Sequence, residues 1–202
     1  MAIKSLLKDG SYSLKWVKDF YAQTGIWWGP HIQSDKAHAA RLDMIERLCG
    51  AGPLRILELG SGPGETAARL ADKGHAVVGV ELNPTDAAHA DLISRTPRPG
   101  SFTAIQADWY SVRLDGRFDV VCCWEAFGLG GDPDQRRLLH RIAREWLGPC
   151  GSALLDVYCP FAPAKDAGVV ERLPPLPGVP GSVEMNRRSY FDPIECRWIE
   201  DW

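Results

Sequence analysis

The sequence predicts an α/β fold of three layers, in which helices cover both faces of a mostly parallel sheet. Short apolar runs alternate with amphipathic stretches through residues 55–158, as expected when helical crossovers join parallel strands. A glycine-rich turn follows the first apolar run, at residues 60–64. The length of 202 residues suits a single domain with a sizeable hydrophobic core.

Composition and charge narrow the class of function. The hydrophobic content of 45% and the charged content of 24% are ordinary for a globular protein. A formal net charge of −3 gives no general attraction to nucleic acid or to an anionic membrane. No apolar run approaches the roughly 18 residues of a membrane span, and the first ten residues lack a signal-peptide pattern. The six cysteines have no C-x-x-C spacing, so we expect a cytoplasmic protein without disulfides, structural zinc or another metal site.

Residues 1–33 are rich in aromatic side chains. The spacing of Trp16, Phe20 and Tyr21 predicts a short helix at about residues 14–23. Trp27 and Trp28 are expected to leave this helix, because Gly and Pro follow them directly. The aromatic side chains either pack against the flank of the domain or form a lid over a ligand, and both interpretations stay open. A second helix is expected up to Gly50, with His38 as a buried structural histidine at the edge of its apolar stripe.

The stretch RILELGSGPGET, residues 55–66, organises the core of the domain. Its apolar residues predict a buried strand, and a helix follows from Glu65 to Gly74. The glycines between them turn the chain tightly, without side chains that would block a ligand. A strand, a glycine turn and a helix N-terminus together indicate a nucleotide-type site at the carboxyl end of a sheet.

Further strands are expected at residues 76–81, 101–106, 118–124 and 153–158, with helices that begin near Pro84 and Pro133. The second strand ends at Glu81, which lies 21 residues beyond Gly60. At about this spacing, folds of this type place a carboxylate on ribose hydroxyls. The last of these helices carries a basic side that we expect to be solvated: Arg136, Arg137, His140, Arg141 and Arg144.

Glu65 argues against a phosphate ligand. It stands where the dinucleotide fingerprint requires glycine or alanine. Its carboxylate at the helix N-terminus would repel a bound phosphate. An adenosine ligand that lacks phosphates and carries a positive centre suits the site better, and S-adenosylmethionine is such a ligand.

At this motif the sequence resembles the class I S-adenosylmethionine-dependent methyltransferases, over about residues 35–160. The resemblance rests on the E-x-G-x-G-x-G form from Glu58 to Gly64, with Glu81 and Asp108 at the next two strand ends. It implies a Rossmann-like fold, S-adenosyl-L-methionine as cofactor, and in-line methyl transfer to an oxygen or nitrogen atom of a small-molecule acceptor.

The resemblance also implies roles for single residues. Glu58 would orient the methionine ammonium, Glu81 would bind the ribose hydroxyls and Asp108 the adenine amino group. The other cofactor contacts would come from Gly60, Gly62, Gly64, Leu82, Trp109 and Trp124. If the acceptor is a hydroxyl, a base is also required, and Glu125 and His31 are the candidates. The acceptor pocket is expected to include Trp28, Phe127, Tyr158 and Tyr190.

Two other functions stay open at this stage. A protein of the same fold could bind S-adenosylmethionine without transferring its methyl group, as a scaffold, a sensor or the catalyst of another rearrangement. A nicotinamide-dependent reductase is disfavoured by Glu65 and by the lack of a Tyr/Lys pair after the fourth strand. Neither nucleic acid nor a membrane is an expected partner.

Residues 160–182 are rich in proline and are expected to form a loop with one helical turn near residues 169–173. Residues 183–191 and 194–202 predict a hairpin. It either supplies the two strands that the family usually adds after the fifth, or caps the active site. Arg187, Arg188 and Tyr190 have the character of pocket-rim residues and favour the cap.

A cap would leave the fifth strand as an open edge, which invites a homo-oligomer. We therefore expect one domain over residues 1–202, with a lid segment (1–33), a cofactor-binding core (34–159), and a proline-rich excursion with a hairpin cap (160–202). It would lack the usual last two strands, and we expect it to be the front part of a longer methyltransferase.

Overall fold

The computed structural model describes residues 15–28, 34–157, 159, 164–178, 180–194 and 196–202. These residues form the helices α1 (Lys15–Trp28), α2 (Asp35–Cys49), α3 (Glu65–Asp72), α4 (Pro84–Ser94) and α5 (Asp132–Arg141), and a π-helical turn (Ile142–Trp146) that continues α5. The strands are β1 (Arg55–Leu59), β2 (Ala76–Glu81), β3 (Ser101–Gln106), β4 (Phe118–Cys123), β5 (Leu147–Leu155), β6 (Val170–Leu173), β7 (Met185–Asp192) and β8 (Arg197–Asp201).

The first five strands form one parallel sheet in the order β3-β2-β1-β4-β5. The direction in which successive strands are added reverses between β1 and β4. In sheets of this type, the crevice for a ligand opens at such a switch point, beyond the carboxyl ends of the strands. The predicted parallel sheet is thus confirmed, and its topology places β1 at the centre.

Both faces of this sheet are covered, because alternate residues of β1 point in opposite directions. Ile56 packs in an apolar cluster with residues of α2, α3 and α4. Leu57 and Leu59 pack on the other face with Leu138 of α5 and Trp146 of the π-helical turn. The three-layer sandwich predicted from the sequence is therefore the observed architecture.

The C-terminal strands form a second, antiparallel sheet in the order β6-β7-β8. In the described part of the chain, β7 and β8 do not extend the parallel sheet, so the separate hairpin is confirmed. Arg197 at the start of β8 joins the antiparallel sheet to the start of α5, through its ion pair with Asp132 at 2.6 Å and its hydrogen bond to the Gly130 carbonyl at 3.3 Å.

Local predictions failed where contacts distant in sequence decide the structure. Residues 170–173 form β6 rather than a helical turn, because Val170 to Leu173 pair with Arg188 to Met185 of β7. β5 begins at Leu147, before its expected start at residue 153. α1 runs on to Trp28, because a single interior glycine costs a helix only about 1 kcal/mol.

Within the residues that the structure describes, no helix has both the length and the apolar character that crossing a membrane requires.

Gly64 provides a test of the packing beneath the glycine loop. It has φ of +84°, and a Cβ at this position would lie 2.8 Å from the Phe102 ring and 2.9 Å from Ala90. Gly64→Ala should therefore lower the free energy of unfolding by about 2–5 kcal/mol, combining left-handed strain with overpacking. Urea denaturation measures this change.

Gly74→Ala is the matched control for this substitution. Gly74 also has a positive φ, of +94°, but a Cβ there would meet nothing within 4 Å. Only the strain of about 1–2 kcal/mol should remain. Equal losses in the two variants would show that packing at Gly64 contributes nothing.

Candidate cofactor site

A cavity of about 1290 Å³ opens at the carboxyl ends of β1, β2, β3 and β4. Ligand pockets in proteins usually measure about 300–1,000 Å³, so this cavity has room for more than one small molecule. Its floor is formed by strand ends and by the loops that follow them. Its roof is formed by α1 and by the C-terminal sheet, through Val17, Lys18, Asp19, Phe20, Tyr21, Arg187 and Trp202.

The glycine loop after β1 forms the centre of the floor. Gly60 and Gly62 have φ of +66° and +54°, in the left-handed region that side chains disfavour. The amide of Gly60 donates to the carbonyl of Val80 at 2.8 Å, so the loop is tied to the end of β2. Both glycines line the cavity, as predicted, and present backbone rather than side chains to a ligand.

Glu81, at the end of β2, ties together the loops that follow β1 and β2. Its carboxylate accepts one hydrogen bond from the Gly62 amide at 2.8 Å and another from the Asn83 amide at 2.6 Å. Burial raises the pKa of Glu81, and these amide donors oppose the rise. The carboxylate lines the cavity, and its two oxygens have further lone pairs for a ligand.

Glu58, in β1, is a buried carboxyl group on the wall of the cavity. It is 2% exposed, and its Oε2 has no hydrogen-bond partner in the described structure. Burial raises the pKa of Glu58 to about 8, against the opposing effect of Arg41. Two further buried polar atoms of the cavity wall, Ser61 Oγ and Trp124 Nε1, also lack a partner among the described residues. Because buried polar groups are normally paired, these atoms indicate a site for a polar ligand.

Arg41, in α2, is a cavity residue that the sequence analysis missed. Its guanidinium pairs with Glu125 at 3.2 Å, donates to Thr66 Oγ1 at 3.2 Å and lies 5.7 Å from the centre of the Trp124 ring. His38, one turn earlier on α2, lies within hydrogen-bond distance of Thr66 Oγ1 (2.9 Å). Arg41 and His38 are three residues apart and share a helix face, which is the one signal in the sequence that links them.

His38 also accounts for Glu65. Its Nε2 lies 3.0 Å from Glu65 Oε2, and the histidine ring is buried. The carboxylate that opposes a phosphate at the start of α3 is thus held by a partner from α2. His38 is a hydrogen-bonded core histidine, as expected, and in addition lines the cavity.

Glu125, directly after Trp124, has a strained backbone. Its φ is +57°, a conformation that costs a residue with a side chain about 1–2 kcal/mol. The amide of Glu125 donates to Asp156 Oδ1 at 2.6 Å, and this bond from the end of β5 holds the conformation. Its side chain lies at the cavity wall, 45% exposed. Strain of this kind is frequent at functional sites.

The loop after β3 forms the far end of the floor. Asp108, Trp109 and Tyr110 all line the cavity there, and Leu82 lines it beside them. Asp108 Oδ1 accepts from the Tyr110 amide at 2.8 Å, which fixes the carboxyl group relative to its own loop. The predicted cofactor residues of three neighbouring strand ends are therefore brought to one cavity.

Three predicted residues lie outside the cavity lining. Gly64 starts α3 and packs against Phe102 and Ala90. Phe127 packs in the apolar cluster of Leu57 and Trp146, on the other face of the sheet. Tyr190 is a half-exposed residue of β7 whose hydroxyl accepts from Arg188 Nη1 at 3.1 Å.

The remaining predictions fall outside what the structure describes. His31 and Tyr158 are not among the described residues, and of Trp28 only the helical backbone is described.

This geometry defines a class of protein. The open parallel sheet has a glycine cradle at its switch point and a carboxylate at the next strand end, and one oxygen of a buried carboxyl group lacks a partner in the described structure. Such a site suits a nucleoside that carries a cationic group. Residues 56–151 match the family model described as a methyltransferase domain. This segment therefore has a Rossmann-like fold and the sequence pattern of class I, S-adenosylmethionine-dependent methyltransferase domains.

Relatives of similar sequence carry methyltransferase names. The ubiquinone biosynthesis O-methyltransferase of Xylella fastidiosa (strain 9a5c) is 29% identical over 124 residues, which cover 56% of this chain and 48% of that protein. The protein of the same name from Pseudomonas aeruginosa (strain LESB58) is 25% identical over 133 residues, covering 63% and 57%. The chain therefore spans about half the length of these curated relatives.

Solved structures share the fold. The CcbJ methyltransferase from Streptomyces caelestis aligns with a TM-score of 0.63 at 21% identity, over 81% of this chain and 68% of that one. A methyltransferase from Geobacter sulfurreducens, crystallised with S-adenosyl-L-homocysteine, aligns with a TM-score of 0.53 at 24% identity, over 66% and 53%.

The burial of Glu58 predicts a specific pH dependence of stability. From the ordinary carboxyl value of 4.5 up to about 8, the unfolded chain loses the Glu58 proton whereas the folded protein keeps it. Raising the pH across this window therefore favours the unfolded state. The wild type should lose free energy of unfolding relative to Glu58→Gln, by up to about 1.4 kcal/mol per pH unit.

Urea denaturation from pH 5 to 9 measures this difference, and the two profiles should become parallel above about pH 8. Glu46→Gln, which changes an exposed carboxyl group of α2, is the control. Parallel profiles for wild type and Glu58→Gln throughout the range would contradict the assignment.

Proposed function

We propose that this chain binds S-adenosylmethionine in the cavity and transfers its methyl group to an oxygen or nitrogen atom of a small molecule. The observation that carries the proposal is the unpaired Oε2 of the buried Glu58 carboxyl group at the cavity wall. Its burial costs free energy that a cationic ligand group would offset. The amino-acid part of S-adenosylmethionine has such a group, an ammonium.

Arg41 supports this placement of the amino-acid part. Its guanidinium faces the same cavity and acts electrostatically on Glu58, whose pKa it lowers against the effect of burial. Arg41 thus offers a positive partner to the carboxylate of a zwitterionic ligand end, and the Glu58 carboxyl group offers its Oε2 to the ammonium. Trp124, with its buried and unpaired Nε1, completes this corner of the cavity.

The nucleoside part fits the other strand ends. Glu81 keeps lone pairs for two ribose hydroxyls, while the Gly62 and Asn83 amides hold the carboxylate in place. Asp108 would accept from the adenine amino group, with Leu82 and Trp109 beside the base, since all three residues line the same part of the cavity. Glu65, paired with His38, keeps the start of α3 unsuited to a phosphate.

The chemistry asks little of the protein. The bound cofactor supplies a methyl group that its positive sulfur already activates. The chain's own residues have to hold the acceptor in line at about 3 Å and to exclude water. Glu125 is the described candidate to take a proton from an acceptor hydroxyl, since its carboxylate lies on the cavity wall next to Trp124. His31 remains a second candidate.

The roof of the cavity supports a flat or partly apolar acceptor. Phe20 contacts Trp202 with ring centres 6.3 Å apart, and Tyr21 at 5.3 Å. Arg187 lies over the Trp202 ring at 5.7 Å and is held by Glu171 and Glu200. Because two carboxylates neutralise Arg187, the roof offers planar surfaces more than it offers a positive charge. The O-methyltransferase names of the relatives make an aromatic hydroxyl the first acceptor to test.

The domain organisation and assembly are also proposals. We propose that α1 and the C-terminal sheet act as lid and cap over one core, as their contacts at the roof support. Among the described residues β5 pairs on one side only, with β4, and a second copy could pair with its other edge.

The cofactor assignment predicts the effect of a substitution at Glu81. Glu81→Gln keeps the shape of the side chain but replaces one acceptor oxygen with a donor, so binding of S-adenosylhomocysteine should weaken by about 1–3 kcal/mol. Isothermal calorimetry measures the dissociation constant. Glu46→Gln, on an exposed helix surface, should bind as the wild type does, and unchanged affinity in Glu81→Gln would remove the ribose assignment.

If the aromatic roof binds the acceptor, substitutions in the roof should weaken acceptor binding and leave cofactor binding unchanged. With labelled S-adenosylmethionine and a panel of hydroxy- and amino-substituted aromatic compounds, the wild type should methylate a planar member of the panel. Phe20→Leu and Trp202→Leu should then raise the acceptor KM by roughly tenfold through lost ring contacts, and leave the affinity for S-adenosylhomocysteine unchanged.

Trp198→Leu is the matched control for Trp202→Leu. Trp198 lies in β8, which Trp202 directly follows, and is similarly exposed, but it does not line the cavity. Cofactor binding without transfer to any acceptor would instead favour a scaffold, a sensor or another reaction on the same fold.

A further inference from the structure

We infer that Arg141 is a positioning residue that holds the base-recognising loop, residues 108–112, against α5 and thereby sets the selectivity for adenine. This inference rests on the proposed function, because it assumes that the loop receives the cofactor's base. It reverses the expectation from the sequence, in which Arg141 belongs to a solvated basic face.

Arg141 is buried, with 8% of its surface exposed. Its Nη1 donates to the carbonyl of Trp109, and its Nη2 donates to the carbonyl of Val112 at 2.6 Å. The two acceptors lie 32 and 29 positions earlier in the chain. A guanidinium that bridges two carbonyls of one short loop constrains that loop as a rigid fork.

The C-terminal end of α5 holds Arg141 itself in place. Glu145 Oε2 accepts from Arg141 Nε at 3.0 Å and from Nη2 at 2.8 Å, and the guanidinium lies 4.6 Å from the centre of the Trp146 ring. Glu145 and Trp146 belong to the π-helical turn that continues α5. Such turns are rare and are found frequently at functional sites.

Arg137, one turn earlier on the same helix face, contacts the same loop. Its Nη2 donates to the carbonyl of Tyr110 at 3.0 Å, and its guanidinium lies 5.1 Å from the centre of the Tyr110 ring. Two arginines of α5 therefore hold three carbonyls of the loop, those of Trp109, Tyr110 and Val112.

Bonds within the loop transmit this constraint to Asp108. The Ser111 and Val112 amides donate to the Asp108 carbonyl at 3.0 Å and 2.8 Å, and the Tyr110 amide donates to its carboxylate at 2.8 Å. The position of the Asp108 carboxylate relative to the sheet thus depends on where α5 holds its loop. A displacement of about 1 Å is enough to lose a directional hydrogen bond to a ligand.

The test compares two ligands that differ at the base. S-adenosylhomocysteine has the 6-amino group of adenine, and S-inosylhomocysteine has an oxo group in its place. Calorimetry gives both dissociation constants for the wild type and for Arg141→Lys, Arg137→Met and Asp108→Asn. The wild type should prefer the adenine ligand by roughly tenfold or more, since a site built to accept from an amino group rejects an analogue that lacks it.

In Arg141→Lys this preference should fall to about threefold or less, mainly through weaker binding of S-adenosylhomocysteine. Arg137→Met, a change at an exposed residue that should not prevent folding, should lower the preference by a smaller factor. In the Asp108→Asn background, Arg141→Lys should cause no further change in preference, because both act on the same contact.

Arg117→Met is the control for a merely structural role. The Arg117 guanidinium also donates to two carbonyls near the π-helical turn, those of Arg144 and Leu147. Its described hydrogen bonds do not reach the loop at 108–112. It should lower stability without altering the preference.

The outcomes separate the two proposals. Equal weakening of both ligands in Arg141→Lys, or an unchanged preference in that variant, would overturn the role of Arg141 and leave the proposed function standing. Failure of the wild type to bind S-adenosylhomocysteine would overturn both. If Arg141→Lys does not fold, an unchanged preference in Arg137→Met would overturn the inference.

Discussion

The two hydrogen bonds that the Glu81 carboxylate accepts are the interactions on which the site depends most. They come from the amides of Gly62 and Asn83, and so join the turns that follow two adjacent parallel strands. The glycine turn has few side chains of its own to stabilise it. The buried Glu81 carboxylate stabilises the turn instead, by accepting a hydrogen bond from the Gly62 amide. The same burial that raises the pKa of Glu81 makes these hydrogen bonds strong. The carboxylate that shapes these loops thus also lines the cavity, where we propose that it binds the ribose.

In the proposed placement of the cofactor, the nucleoside end of the cavity is preorganised and the amino-acid end contains buried polar atoms without partners in the described structure. The Glu81 carboxylate is held by the backbone amides of Gly62 and Asn83, and the Asp108 carboxylate by the amide of Tyr110. Around Glu58 and Trp124 buried polar atoms have no partner in the described structure. A ligand that forms hydrogen bonds with these unpaired atoms of Glu58 and Trp124 should bind more tightly, because the described residues leave the atoms without partners. In the proposed function, hydrogen bonds to these unpaired atoms would orient the cofactor, and no catalytic side chain is needed for that.

The sequence predicted features that depend on neighbours along the chain. The apolar run at Ile56 to Leu59, the glycine turn and the start of α3 follow from local periodicity and conformational preference. It missed features that depend on distant partners. Arg41 reaches Glu125 across 84 positions, and β6 forms only because β7 pairs with it. Arg141 was expected in solvent because periodicity assigns a helix face but does not show which loop will cover it. Charged residues on helices are therefore where such predictions are weakest.

Four arginines around the cavity have contacts that the sequence pattern does not predict. Arg41 enters the cavity from α2, Arg187 from β7, and Arg137 from α5, while Arg141 acts on the cavity from behind the loop that follows β3. Each guanidinium has carboxylate, carbonyl or aromatic partners within the protein, and these partners hold it in place. The shared effect of the arginines is to fix the positions of side chains and loops around the glycine cradle. In the proposed function the glycine motif provides the chemical groups for the cofactor, and these arginines from α2, α5 and β7 hold the surrounding loops and side chains in position.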